Sequence, residues 1–149
     1  MTALLPGAHR AAGSPARSRM ARRPRLLLAA LELFTGGAAL VGGVLLAVAP
    51  DGSLLRADPA ALAGSPFPDY RWPGLLLAGL VGGGYLLTGC WQARSGRGAR
   101  QLSAFAGLGL ILFEGSELLW LGFQPLEAVF AVVGAAVATL ALLAPSERR

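Results

Sequence analysis

The sequence predicts an all-α integral membrane protein, a bundle of four transmembrane helices with both termini on the cytoplasmic side. Hydrophobic residues make up 54% of the chain and charged residues 14%, and the mean hydropathy is +0.58. The apolar residues form runs of about 20, the length that an α-helix needs to cross a bilayer. All the basic residues are Arg, and most of them flank these runs, as membrane topology requires.

Residues 1–25 are rich in Arg, Ala and Pro, contain no acidic residue and show no hydrophobic periodicity. This composition predicts a disordered, basic cytoplasmic tail. Met20 is an alternative start to Met1, because "MARRPR" followed by an apolar run is itself a typical beginning of a membrane protein.

The first predicted span covers residues 26–49, "LLLAALELFTGGAALVGGVLLAVA". Its basic flank and its terminal Ala-Val-Ala resemble a secretory signal. The run is longer than the hydrophobic region of a signal peptide, and Pro50 directly after the triplet should obstruct cleavage. We therefore expect an uncleaved membrane anchor.

Residues 50–72 form the predicted outer loop, because prolines and glycines interrupt the apolar pattern there. Asp58 and Pro59 are a favourable N-cap and first residue for a short helix, which Gly64 could end. Aromatic residues then mix with prolines before Pro73, as expected of chain at the headgroup level.

The remaining spans are predicted at residues 73–92, 102–123 and 126–144, with a cytoplasmic C-terminal tail at 145–149. With both termini inside, the cytoplasmic segments hold eleven arginines, whereas the outer side holds Arg56 and Arg71. Positively charged residues accumulate on the cytoplasmic side of membrane proteins, so this orientation is favoured.

The third span has two different faces when the residues are spaced at about 100° on a helix. Polar and small residues share one face with Leu: Ser103, Gly107, Leu110, Glu114, Glu117 and Leu121. Large apolar residues share the other: Phe105, Leu108, Leu112, Leu119 and Phe123. The two glutamates are therefore predicted to face the bundle interior.

A carboxylate within a bilayer costs a few kcal/mol or more, so it pairs, takes a proton or faces water. We predict a polar cluster near the outer ends of the spans: Glu114, Glu117, Glu127, Gln124, Arg71 and Tyr70. It could fasten the outer loop to the bundle through proton uptake or hydrogen bonds, including one to Ser116. It could also line a small cavity, or supply a general acid or base.

Glu32 lies about two turns inside the first span and is interpreted separately. From that position its side chain could extend toward headgroup water, Arg97 or Arg100 at the cytoplasmic surface.

Small residues recur at helix-packing spacing in the first two spans. Ala38 precedes Gly42 by four residues, Ala39 precedes Gly43, and Gly79 precedes Gly83. Transmembrane helices associate through such positions, because small side chains let two backbones approach closely. Gly42, Gly43, Gly79 and Gly83 are thus the predicted packing residues, and homodimerisation is an open alternative.

Several function classes lose support from the composition. The arginines suit topology and lipid contact better than nucleic acid, for which a basic surface must be soluble and folded. One cysteine, Cys90, cannot form an internal disulfide, and one histidine, His9, cannot build a metal site alone. No catalytic or phosphate-binding motif accompanies the glutamates, so we expect no cofactor, no metal and no enzymatic activity.

Three stretches carry a resemblance: "DGSLL", "LAGSPFPDYRWPGLLLAGLVGGG" and "FEGSELLWLGFQPLEAVFAVVGAA". They resemble a group of small, four-span bacterial membrane proteins, with a Gly-Ser-Pro-Phe element in the outer loop and a Gln-Pro turn before the last span. The resemblance covers residues 26–144 and implies topology rather than an activity. By architecture alone, the chain is also similar to DoxX-like four-span proteins.

These observations together predict a component of the bacterial cytoplasmic membrane that is not an enzyme. It would act in the lipid bilayer by packing against itself or against a partner membrane protein. The alternative is a small transporter or channel-like subunit that handles a proton, a cation or a small polar solute through Glu114 and Glu117.

Overall fold

The computed structural model describes the backbone of residues 15–94, 98–121 and 125–143, and the side chains of residues 24–94, 98–116, 118 and 128–143. Within these ranges the chain forms four long helices and no strand. We number them α1 to α4; they cover Pro15–Val48, Arg71–Ala93, Ala99–Leu121 and Pro125–Leu143. The predicted all-helical class is therefore confirmed.

Helix α1 begins at Pro15, inside the segment that was predicted to be a disordered tail. Pro is favoured at the first helical position, and the Ala and Arg residues that follow have high helix propensity. Pro24 lies inside the helix and removes one backbone donor, but the helix continues through it to Val48. Residues 15–25 are therefore helical in the described structure and are continuous with the apolar helix that follows them.

Helix α2 contains a π-helical segment, Leu77–Gly83, between α-helical turns at Arg71–Leu76 and Gly84–Ala93. Each π turn holds one more residue than an α turn, because its hydrogen bonds join residues five apart rather than four. The segment therefore shifts the register of the residues that precede it relative to those that follow.

The four helices pack as two close pairs, α1 with α2 and α3 with α4, which join through α2 with α3 and α1 with α4. Glycines allow the backbones of each pair to approach. A Cβ atom on Gly43 of α1 would lie 2.5 Å from the backbone nitrogen of Ala78. A Cβ atom on Gly107 of α3 would lie 2.7 Å from the nitrogen of Ala138 in α4.

The distribution of side chains is unlike that of a water-soluble bundle. Large apolar side chains point outward on the long helices, with Phe34 77% exposed, Leu87 74%, Phe105 71% and Leu142 71%. Among the side chains that the structure describes, six polar or charged ones are buried: Glu32, Thr35, Thr88, Gln92, Ser103 and Glu114. In the part of the chain that the structure describes, two helical segments, Pro24–Val48 and Arg71–Ala93, are long and apolar enough to cross a membrane.

The loop between α1 and α2 is ordered by its own hydrogen bonds. Asp58 caps a short 3-10 helix, Pro59–Leu62, by accepting a bond from the Ala60 amide at 2.9 Å, which confirms the predicted capping pair. Leu62 is buried, and the short helix packs against α3. The loop therefore reaches from the α1–α2 pair across to the α3–α4 pair.

Candidate functional site

The predicted polar cluster near the outer ends of the helices is described at three of its six residues. Glu114 is buried, with 2% of its surface exposed, and it interacts with other groups of the protein. The side chains of Glu117, Gln124 and Glu127 lie outside the described residues. The predicted faces of α3 are confirmed where they are described, because Ser103, Gly107 and Leu110 are buried with Glu114.

In the described structure, Tyr70 makes its hydrogen bonds within the loop and not with the glutamates. Its hydroxyl donates a hydrogen bond of 2.6 Å to the carbonyl oxygen of Asp58, and its amide donates to the carbonyl of Pro50 at 2.9 Å. Burial raises the pKa of Tyr70 above its ordinary value, and the negative charge of Asp58 raises it further. The phenol therefore remains protonated and able to donate at neutral pH.

Arg71 begins α2 and is exposed. Its backbone amide donates a hydrogen bond to the side chain of Asp69 at 2.9 Å, which closes the turn before the helix. Ser116, another predicted partner of the glutamates, donates its hydroxyl to the carbonyl of Phe113 at 2.7 Å.

The predicted packing glycines occupy different environments. Gly43 lies against Ala78 and Gly74, where a Cβ atom would clash with backbone atoms. Gly42 and Gly79 have open space beside them, and a Cβ atom on Gly83 would contact the Ala78 carbonyl oxygen at 3.9 Å. Further close contacts between the helices involve glycines outside the predicted set: Gly36, Gly74, Gly82, Gly89, Gly107 and Gly134.

The interpretation of Glu32 as a side chain reaching the cytoplasmic surface is wrong. Glu32 is 0% exposed and lies between α1 and α2. A Cβ atom on Gly89 of α2 would be 3.1 Å from the Cβ of Glu32, so α2 passes directly over this position. The close approach of the two helices, which glycine permits, encloses the carboxyl group within the bundle.

Other polar side chains surround this enclosed glutamate. Thr35 lies one turn further along α1, Tyr85, Thr88 and Gln92 are buried in α2, and Ser103 is buried in α3. The hydroxyl of Ser103 and the ring of Tyr85 are close enough to the Glu32 carboxyl group to interact with it electrostatically. We call Glu32, Gln92 and Ser103 the inner polar site.

Two hydroxyl groups beside the inner polar site have partners within the bundle. Tyr85 donates to the carbonyl oxygen of Ala106 in α3 at 3.2 Å, and Thr88 donates to the carbonyl of Gly84 at 2.8 Å. The atoms of the site itself differ. Among the described residues, both carboxyl oxygens of Glu32, the Gln92 Oε1 and the Ser103 Oγ are buried without a hydrogen-bond partner.

The chemistry of the inner polar site is that of oxygen ligands. The described residues hold no group of three His, Cys, Asp or Glu side chains arranged for a metal ion. Cys90 is a free, partly buried thiol on α2. The oxygen atoms of a carboxylate, an amide and a hydroxyl can bind a hard cation, and a carboxylate can also take up or release a proton. The inner polar site can therefore bind a cation or a proton.

The spacing of polar residues in the first two spans is a sequence signal for this site. Glu32 and Thr35 are three residues apart in the first span, and Thr88 and Gln92 are four apart in the second. Both spacings place polar residues on one face of an otherwise apolar helix. A polar stripe on each of two neighbouring spans predicts that the stripes face each other.

Comparisons of the chain with protein-family models, with curated proteins and with solved structures found no match. The resemblance to small four-span bacterial proteins and to DoxX-like proteins stays a prediction.

Proposed function

We propose that the protein is a multi-pass component of the bacterial cytoplasmic membrane, with four spans and both termini inside. In this proposal it is not an enzyme and acts by association with a second copy of itself. The alternative partner is another membrane protein, which would use the same outer surface.

The apolar exterior of the bundle is the observation that carries the membrane location. Outward-facing side chains such as Phe34, Leu87 and Leu112 are more than two thirds exposed, whereas Glu32 and Glu114 are buried. In water such a surface would drive aggregation, because monomeric soluble proteins rarely expose large apolar patches. In a bilayer the same side chains contact lipid tails without penalty.

The outer face of α2 supports the association. Gly79 is exposed with open space beside its Cα atom, and Gly83 follows four residues later with a single distant neighbour. Two glycines at this spacing let a second helix approach closely within a bilayer. Gly74, Gly82 and Gly89, which contact α1, are buried, whereas Gly79 is exposed, so a second helix can approach Gly79 without displacing α1.

Fluorescence energy transfer in liposomes tests this proposal. Ser53→Cys in a Cys90→Ala background places a label in the exposed loop, and donor and acceptor chains are mixed at decreasing protein-to-lipid ratios. For the wild-type chain, the efficiency of energy transfer should follow a dimerisation curve as the protein-to-lipid ratio decreases. Gly79→Leu should weaken dimerisation by at least about tenfold, because the added side chain prevents close approach.

Gly109→Leu is the matched control, because Gly109 is also exposed and has open space beside it, but lies on α3. This variant should dimerise like the wild type. A wild-type chain that stays monomeric at every lipid dilution would exclude self-association. Equal effects of the two substitutions would exclude the α2 face.

A further inference from the structure

The inner polar site combines deep burial with oxygen atoms that lack partners. Glu32 and Ser103 are 0% exposed and Gln92 is 3% exposed. Their four side-chain oxygens have no hydrogen bond in the described part of the chain. An unpaired buried polar group costs about 1–3 kcal/mol and a charged group more, so such groups are rare without a function.

The register of the helices brings these oxygens to one level of the bundle. Gly89 lies against Glu32, which sets the level of α2 beside α1, and Gln92 follows three residues later. The two helices are antiparallel, since Gly36 packs near Leu86 and Gly43 packs near Ala78. Helical side chains lean toward the N-terminus of their own helix, so Glu32 and Gln92 lean toward each other.

Helix α3 brings the third residue to the same level. The bond from the Tyr85 hydroxyl to the Ala106 carbonyl fixes α3 against α2, and Ser103 lies three residues before Ala106. Because α3 is antiparallel to α2, Ser103 lies near the level of Thr88 and Gly89. The Ser103 hydroxyl is near enough to the Glu32 carboxyl group to favour its charged form, although the two groups do not meet hydrogen-bond geometry, and this closes the site from the third side.

We propose that Glu32, Gln92 and Ser103 bind a single sodium ion inside the bundle. All the available ligand atoms are oxygens, which favour hard cations over the softer transition metals. Glu32 supplies one negative charge, so a monovalent ion makes the site neutral. A divalent ion would leave a net positive charge in a low-dielectric interior, which is costly.

No cation of the chain occupies this position in the described structure. Arg25 is on the same face of α1, but it lies seven residues before Glu32, about 10 Å along the axis, and its buried Nε is also unpaired. Arg100 on α3 interacts with other groups. The sodium site is independent of self-association, because its residues do not belong to the outer face of α2.

Thermal unfolding of the full chain in nanodiscs tests the proposal. Sodium chloride replaces choline chloride at constant ionic strength, and the unfolding temperature is followed by tryptophan fluorescence. A ligand that binds the folded state stabilises it in proportion to the logarithm of its concentration. Sodium should raise the unfolding temperature by several degrees relative to choline, and the increase should follow the logarithm of the sodium concentration.

Glu32→Gln should abolish the response to sodium, because it removes the charge while keeping the shape of the side chain. Ser103→Ala should weaken sodium binding by about tenfold, because one neutral ligand is lost. Glu114→Gln is the matched control, since Glu114 is also a buried glutamate but interacts elsewhere. This control should respond to sodium like the wild type.

Radioactive sodium binding to the wild-type chain gives a readout that does not depend on any variant folding. It should show one site per chain. A sodium response that survives in Glu32→Gln, or an absence of bound sodium in the wild type, would overturn the proposal. Stabilisation by acid without any effect of sodium would also overturn it and would assign a proton to the carboxyl group.

Discussion

Tyr70 shows how one side chain can organise a loop that contains little regular structure. Its ring is buried, and its hydroxyl bonds to the carbonyl of Asp58, twelve residues earlier. Asp58 also caps the short 3-10 helix, so the two residues together fix both ends of the segment between them. The sequence predicts Tyr70 near the membrane surface. It contains no pattern that identifies a backbone carbonyl as the hydrogen-bond partner of the Tyr70 hydroxyl group.

Tyr70→Phe should therefore loosen the loop without disturbing the bundle. The variant loses one hydrogen bond and leaves the Asp58 carbonyl without that donor, which corresponds to about 1 kcal/mol. Hydrogen–deuterium exchange should become roughly fivefold faster at the amides of Ala60 and Ala61 and should be unchanged in α3.

Trp72→Phe is the control for this change, because Trp72 is an exposed aromatic residue two positions away. Its exchange pattern should match that of the wild type. Unchanged protection at Ala60 in Tyr70→Phe would mean that the hydrogen bond does not hold the loop.

At the scale of the helices, the π segment of α2 explains an irregular glycine spacing. Gly36 and Gly43 of α1 are seven residues apart, and so are Gly82 and Gly89 of α2, but Gly74 precedes Gly82 by eight. The extra residue falls in the π segment Leu77–Gly83. Gly74 therefore lies on the face of α2 that contacts α1. In a regular α-helix, a spacing of eight residues would turn Gly74 away from the face that Gly82 occupies.

This irregularity also explains why the glycine prediction selected residues with different roles. A four-residue glycine spacing predicts Gly79 and Gly83, and Gly79 is exposed on α2. The contacts between α1 and α2 instead follow a seven-residue spacing with one inserted residue. A pattern with a fixed period does not describe this spacing, because the helical period of α2 changes in the π segment.

Gly43→Val should destabilise the α1–α2 pair, because the added Cβ would lie 2.5 Å from backbone atoms of Ala78 and Gly74. Backbone atoms cannot rotate away as a side chain can, so the helices must separate. Overpacking of this kind costs about 1–3 kcal/mol, and detergent titration of the folded chain should show an earlier unfolding midpoint.

Gly37→Val is the matched control, since Gly37 belongs to the same helix and a Cβ atom added there would have no neighbouring atom within 4 Å. Its midpoint should shift only by the small difference in helix propensity. A midpoint for Gly43→Val equal to that of Gly37→Val would exclude close packing at Gly43.

For the molecule as a whole, the helical class and the faces of α3 followed from hydrophobic length and periodicity, which act within one segment. The inner polar site did not follow, because it depends on which spans become neighbours. The distance of Glu32 from the end of its own span predicts access to the surface. Only the packing of α2 and α3 around it, directed by glycines, decides that it is enclosed.

The proposed orientation predicts which segments face the outside of the cell. In a Cys90→Ala background, Ser53→Cys in the loop should react with a membrane-impermeant maleimide in intact cells. Arg94→Cys, between α2 and α3, should react only after permeabilisation. The physical reason is the uneven distribution of arginine, with eleven on one side and two on the other.

The reverse labelling pattern would place both termini outside, and equal labelling would contradict four spans. Both cysteine positions are exposed, so neither result can be attributed to burial.

The continuity of α1 through Pro24 has a consequence for how the chain meets lipid headgroups. The helix has 34 residues, about 51 Å at 1.5 Å per residue, whereas the hydrocarbon layer is about 30 Å thick. A continuous helix keeps its arginines at fixed distances from the membrane, whereas a disordered segment would lie along the anionic surface. Arg17 stands about 10 Å beyond Pro24, farther than the screening length of about 8 Å in physiological salt. In the proposed orientation, adhesion to anionic lipid should therefore depend on the arginines nearest Pro24, and those farther out should contribute little to it.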